Sequence, residues 1–198
     1  GEALPAEIGT RWKDRFEVDI LDGVGSTEML HIYLSNRPGI IRYGTSGVNV
    51  PGYEIRLIDE FGKDIDNADI GELLVSGPSS PEGYWNQREK NLRTFVGKWT
   101  YTGDKYYRDD EGYYHFCGRT DEMFKSGGNW VSPFEVESAL ISHNNVLEAA
   151  IVPHVDDSGN IKPKAFVVLK GKASPDEALA NELKEFVCKI NKILIVPY

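Results

Sequence analysis

Thiols and imidazoles are the scarcest reactive groups in this sequence. Cys117 and Cys188 are its two cysteines, far apart within apolar patterns, and there are four histidines. Two isolated thiols give neither a disulfide framework nor a zinc-ligand spacing, so both are expected as reduced core residues of a cytoplasmic protein. Positive charge is also short: 22 Lys and Arg stand against 31 Asp and Glu, giving a net charge of −9. Nucleic acid and anionic lipid need the opposite balance, which excludes both as general partners, although local donors could still hold a small anion. Apolar runs long enough to cross a bilayer are missing, and the opening residues lack the pattern of a secretory or transit segment. Low-complexity tracts and fixed-period repeats are absent.

What is present is enough for a packed core: 198 residues, of which 40% are hydrophobic, suggesting one domain or one and a half. Up to about residue 118 the signals are mostly β. FEVDILDG (Phe16 to Gly23) has strand composition. GYEIRLID alternates Tyr53, Ile55 and Leu57 against Glu54 and Arg56, the period of a half-buried strand. GELLVSG and GYYHFCG follow as further strands, each preceded by turn residues. One helix is expected from Asn86 to Phe95, with Asn86 as N-cap and Glu89 three residues on.

Beyond Arg119 the pattern changes. Ser132-Pro133-Phe134-Glu135 is a capping box with proline in the first helical position, opening a helix with Val136, Ala139, Leu140 and His143 on one face. VLEAAIVPH and KPKAFVVLK are strands joined by DDSGN. A second box, Ser174-Pro175-Asp176-Glu177, opens a helix with Leu179, Leu183, Phe186, Val187 and Ile190 at helical spacing. The fold class expected is α+β: a mainly β part over residues 1–120, then a small α+β domain over residues 121–198. The small domain is incomplete, since a further strand should begin near KILIVPY.

Two stretches carry candidate chemistry. In GVGSTEMLH (Gly23 to His31), Gly25 and Ser26 precede a Thr27 hydroxyl and a Glu28 carboxylate, a pairing that suits a nucleotide phosphate with Mg²⁺. A β-turn with Glu28 at a helix N-terminus explains the same residues. In WTYTGDKYYRDDEGYYHFCGRTDEMFKSGG, Asp104 could accept from two vicinal hydroxyls, or be a turn aspartate. Arg119 suits a phosphate or ribose, or a surface ion pair, and Lys125 with Gly127 and Gly128 could be a plain loop. Only the joint arrangement favours a site.

GSTE, GELLVSGPSSPEGYW, YTGD and GRTDEMFKSGGNWVSPFEVE, in that order and spacing, resemble the adenylate-forming superfamily of acyl-CoA synthetases, adenylation domains and luciferases. The GEALP opening and the DGVGSTEMLHIYLSN passage resemble the benzoate-CoA ligases and other aryl-CoA ligases in particular. The resemblance covers essentially the whole chain. It implies the C-terminal part of the large AMP-binding domain over residues 1–120, then a truncated lid domain. The activity implied is adenylation of an aromatic carboxylate by ATP, with Mg²⁺, followed by transfer to coenzyme A.

By that resemblance Thr27 bonds the AMP phosphate and Glu28 holds Mg²⁺. Asp104 reads the ribose hydroxyls, helped by Arg119. Gly1, Glu2 and Ala3 lie along the adenine edge. Asp121 is the hinge, Lys125 with Gly127 and Gly128 lines the pantetheine path, and His31 borders the acyl pocket. Val24 departs from the aromatic residue that many members place against adenine. The phosphate-cradling loop would precede Gly1 and the lysine of the first step would follow Tyr198, so the resemblance implies a C-terminal fragment lacking both ends of the active site. An adenylation domain that loads a carrier protein and a non-catalytic nucleotide-binding fragment are the alternatives.

Overall fold

Alternating apolar residues in the first part of the chain do what their period demands, pairing into antiparallel sheets around one core. The computed structural model describes residues 3–65, 69–171 and 174–191. The chain divides into two compact units, Gly1–Thr120 and Asp121–Tyr198.

The first unit opens with α1 (Ala6–Phe16), followed by β1 (Gly23–Gly25), a 3₁₀ turn (Thr27–Met29), β2 (Ile32–Ser35) and β3 (Val48–Asn49). These three strands form one antiparallel sheet in the order β1-β2-β3. A second sheet is built from β4 (Glu54–Ile58), β5 (Gly71–Ser76), β6 (Phe95–Val96), β7 (Trp99–Arg108) and β8 (Tyr114–Arg119), with α2 (Arg88–Thr94) between β5 and β6. β5 pairs along one edge of β7; β6 and β8 share the other, at Trp99–Thr100 and at Asp104–Arg108. Met29, Tyr33, Leu34, Leu57, Leu73, Val75 and Tyr106 form the core of this unit. Leu73 and Val75 are completely buried, and each such side chain contributes about 1.5–3 kcal/mol.

The second unit comprises β9 (Phe124–Ser126), β10 (Asn129–Val131), α3 (Pro133–Ile141), β11 (Val146–Val155), β12 (Ile161–Leu169) and α4 (Glu177–Asn191). β9 and β10 form one hairpin and β11 and β12 another. Val136, Ala139 and Leu140 of α3 pack with Val146, Ile151, Leu183 and Val187. The α3 cap is as expected, with Ser132 Oγ accepting from the Glu135 amide at 3.2 Å.

Four local expectations need correction. The stretch from Phe16 to Gly23 is not a strand. Ile8, Trp12 and Phe16 recur every fourth residue, so Phe16 ends α1, and Glu17 terminates it in the left-handed region at φ 55°. Helix α2 begins at Arg88 with Gln87 at the cap position, because Asn86 takes φ 54° outside the helix. The cap of α4 is Asp176 rather than Ser174, its Oδ1 accepting from the Leu179 amide at 2.8 Å. In α4 Leu183 and Val187 are buried but Ile190 is half exposed, and His143 lies past the end of α3. The strand expected near KILIVPY falls on residues 192–198, outside the described residues. No helix among the described residues is long and apolar enough to cross a membrane.

Candidate functional site

The GSTE segment is shaped by close backbone approach. A β-bulge interrupts β1 and β2 at Gly25, where a Cβ would lie 2.5 Å from the His31 carbonyl oxygen, so glycine is required. The chain then winds through the 3₁₀ turn, with the Met29 amide donating to the Ser26 carbonyl at 3.2 Å. It leaves through Leu30 at φ 68°, a strained position for a side-chain-bearing residue. This turn leaves Thr27 exposed and Glu28 half-buried. The Tyr84 hydroxyl donates to Glu28 Oε1. Burial works to raise the Glu28 carboxyl. The Tyr84 hydroxyl, a backbone amide, Ser26 and the Lys90 ammonium outweigh it and hold the group below its usual range. The carboxylate is therefore ionised at neutral pH.

The hairpin of β7 and β8 places Asp104 opposite Arg119. Arg119 Nη1 donates to Asp104 Oδ1 at 3.1 Å and to the Thr102 carbonyl at 3.2 Å. The Asp104 amide is received by Thr102 Oγ1 at 3.1 Å. Gly103 makes this possible: it sits at φ 74°, and a Cβ there would stand 3.0 Å from the Arg119 guanidinium. The Asp104 side chain keeps 14% of its surface exposed and Arg119 43%, so the pair lies at the edge of the core rather than inside it.

Tyr33 on β2 ties the two stretches together. Burial pushes its hydroxyl far above the usual phenol range; the negative charges of Asp104 and Glu28 push it further and Arg119 opposes them. All three charged groups therefore lie within electrostatic reach of one buried oxygen. Neither the Tyr33 hydroxyl nor Ser26 Oγ makes a well-formed hydrogen bond among the described residues, but Ser26 lies close enough to Tyr33 and Glu28 to lower both groups. The 3₁₀ turn also packs against β7. The turn that carries Thr27 and Glu28 thus packs on the strand that carries Asp104, and Asp104 in turn pairs with Arg119 on β8.

The other predicted residues have local settings of their own. His31 is exposed, its Nε2 3.2 Å from the Tyr53 hydroxyl; that hydroxyl is 2.8 Å from Ser79 Oγ, which donates to the Met29 carbonyl at 2.6 Å. Ala3 is half-buried, while Gly1 and Glu2 lie outside the described residues. Val24 packs against the core. Asp121 is exposed at the start of the second unit. Lys125 is exposed over the Trp130 ring at 4.9 Å, and Gly127 (φ 58°) and Gly128 (φ 86°) form the two-residue turn between β9 and β10. Two positive φ values in succession make a type I′ turn, which by itself explains the glycine pair.

Sequence reasoning missed Tyr33, Tyr84 and the Tyr53–Ser79 pair. Tyr84 was visible only as a turn aromatic, since its partner stands 56 positions away. Hollows of about 500 Å³ beside Asn145, Lys170 and Glu182, and of about 410 Å³ beside Glu82, Gln87 and Asn91, include none of the predicted nucleotide residues. Among the described residues no cluster of three His, Cys, Asp or Glu side chains could hold a metal ion. A single ionised Glu28 still fits Mg²⁺ carried on a nucleotide, because that ion takes one or two carboxylates and completes its shell with phosphate oxygens and water.

Residues 1–85 match the model of the AMP-binding enzyme family, and residues 135–197 match that of the AMP-binding enzyme C-terminal domain. The chain is 58% identical to the 4-hydroxybenzoate–CoA/benzoate–CoA ligase of Rhodopseudomonas palustris, over 94% of its own length and 35% of that protein's. It is also 58% identical to the benzoate–CoA ligase of Thauera aromatica, over 100% of this chain and 37% of that one. The fold is shared with the crystal structure of an anthranilate CoA ligase in complex with anthranoyl-AMP, at a TM-score of 0.90 and 47% identity, covering 98% of this chain and 38% of the other. The chain thus spans little more than a third of the length of the relatives it matches. With both family models matched in order, and the TM-score and identities agreeing with them, the chain belongs to the AMP-binding, adenylate-forming enzymes.

Proposed function

We propose that this chain is the C-terminal part of an ATP-dependent, AMP-forming aryl-CoA ligase acting on benzoate or a close aromatic carboxylate. The observation that carries the reading is the packing of the turn bearing Thr27 and Glu28 against β7, the strand on which Asp104 is held by Arg119. Three charged groups of that kind match the demands of a nucleoside monophosphate. Asp104 accepts hydrogen bonds from the ribose hydroxyls, a task for a carboxylate held partly in the open. Arg119 fixes that carboxylate through the 3.1 Å contact. The hydroxyl of exposed Thr27 would donate to the α-phosphate, and ionised Glu28 would hold the Mg²⁺ that accompanies the nucleotide.

When bound, ATP supplies the adenylyl group that makes the carboxylate a good electrophile, and coenzyme A supplies the thiol that displaces AMP. The chain's own residues contribute position and charge stabilisation around the phosphate. His31, held toward Tyr53, borders the acyl pocket. The Lys125 hairpin and its glycine turn line the pantetheine path, and Asp121 serves as the hinge. The names of the relatives, all CoA ligases of small carboxylic acids among those described above, support free coenzyme A as the acceptor.

The test is pyrophosphate release by the full-length protein with ATP and benzoate, 4-hydroxybenzoate or 2-aminobenzoate. Release that depends on the aromatic acid and collapses in Asp104→Ala is the expected result. No release with any aryl acid, or full activity in Asp104→Ala, would overturn the reading.

A further inference from the structure

Glu28 is one carboxylate on a short turn, and a lone carboxylate can rotate away from the metal it is meant to hold. Tyr84 is built to prevent that. Its hydroxyl donates to Glu28 Oε1, and the rest of the residue is fixed on three sides. The Tyr84 amide donates to Asn91 Oδ1 at 2.7 Å and its carbonyl accepts from Asn91 Nδ2 at 3.0 Å. One side chain on α2 therefore closes both main-chain groups of Tyr84. The Lys90 ammonium lies over the ring at 4.0 Å, and Phe95 packs against it with centroids 5.4 Å apart. The preceding Gly83 admits this clamp, since a Cβ there would come within 2.8 Å of Asn91 Nδ2. A tyrosine that only filled space would need the ring contacts and none of the main-chain ones.

We propose that Tyr84 is a positioning residue that holds the Glu28 carboxylate in register for the divalent cation accompanying the nucleotide, with Asn91 as its clamp. The proposal rests on the assignment of Mg²⁺ to Glu28 made above. Donors behind a metal-binding carboxylate set its orientation, and removing them typically costs about 10- to 100-fold in metal affinity. Short α2 thereby gains a role at a distance: it fixes the loop that fixes the carboxylate.

The experiment uses the full-length protein loaded with nucleotide and Mn²⁺ as the probe, with bound Mn²⁺ read by electron paramagnetic resonance. Tyr84→Phe keeps the ring contacts and removes the donor. Its Mn²⁺ affinity should fall about tenfold, and the Mg²⁺ concentration for half-maximal pyrophosphate release should rise by a similar factor. The KM for the aryl acid and the melting temperature should stay unchanged. Asn91→Ala should shift metal affinity in the same direction by less. Wild-type Mn²⁺ affinity in Tyr84→Phe, or equal losses of metal, acid and thermal stability, would overturn the proposal. Glu28→Gln separates the two layers. If it abolishes Mn²⁺ binding while Tyr84→Phe is neutral, only the positioning role fails; if it leaves Mn²⁺ binding intact, the Glu28 assignment fails and the Tyr84 role with it.

Discussion

Gly47 in the first unit and Gly128 in the second have nearly the same φ, 80° and 86°, yet their surroundings differ completely. A Cβ on Gly47 would land 2.0 Å from the Ser35 carbonyl carbon, whereas one on Gly128 would meet nothing within 4 Å. The first unit holds its candidate nucleotide residues by main chain pressed on main chain. The hairpin of the second unit holds Lys125 by turn geometry and one ring contact, with its outer surface open. The same residue type thus answers two demands, close approach in one place and a positive φ alone in the other.

Substituting the two glycines gives the largest contrast. Gly47→Ala combines a forbidden φ with a backbone clash and should destabilise the first unit by more than about 3 kcal/mol. Gly128→Ala carries only the left-handed penalty of about 1–2 kcal/mol. Urea unfolding of the two variants measures the difference, and equal losses would break the comparison.

Next in size is the effect on ligand binding. Asp104→Ala removes the proposed acceptor for the ribose hydroxyls and should weaken AMP binding to the full-length protein by about tenfold or more. Lys125→Ala should leave AMP affinity unchanged and slow thioester formation instead. Calorimetry with AMP, and coenzyme A consumption from preformed acyl-adenylate, separate these outcomes.

A pH series sharpens the same contrast at the tip of the β7–β8 hairpin. Asp109 Oδ2 lies 2.8 Å from His115 Nε2 and 2.9 Å from Arg42 Nη1, and Oδ1 accepts from the Tyr113 amide at 2.9 Å. Burial works to raise this carboxyl, but those three partners outweigh it and hold it below the usual range. A folded value below the unfolded one means stability that is complete above the ordinary carboxylate range and lost as pH falls through the lower folded value. The urea midpoint of Asp109→Asn should therefore lie below wild type at neutral pH and converge with it in acid. A gap that persists in acid would show that the partners act through packing rather than charge.

The smallest effect is expected at Tyr33. Its buried hydroxyl makes no well-formed hydrogen bond among the described residues and has only Ser26 beside it, so Tyr33→Phe removes a poorly compensated polar group and should be neutral or stabilising, within about 1 kcal/mol. A clear loss of stability would reveal a hydrogen bond.

Local chemistry was enough for several elements. Ser132 and Pro133 start α3 because a hydroxyl acceptor and a fixed φ act within four residues of each other. The alternation in GYEIRLID produces β4, whereas GELLVSG forms β5 as a short apolar run between glycines, with Leu73, Leu74 and Val75 buried in succession. Where two local signals competed, sequence reasoning failed. Phe16 had both strand-like neighbours and helical spacing to Trp12, and the helix took it; its ring lies 4.4 Å from that of Trp12. Asn86 could have capped α2, but its left-handed backbone left that position to Gln87.

By itself, then, the sequence determined the class of fold, the division near residue 120 and the elements with strong local signals, such as β4, α3, β11 and β12, because propensity, periodicity and capping act over a few residues. Only the tertiary structure decided that Arg119 lies on Asp104, that the turn bearing Glu28 packs against the strand of Asp104, and that Tyr84 reaches back across 56 positions to the Glu28 carboxylate. Those contacts depend on strand register and loop closure, which no local pattern encodes: a slip of one residue in β8 would turn Arg119 to the opposite face of the sheet.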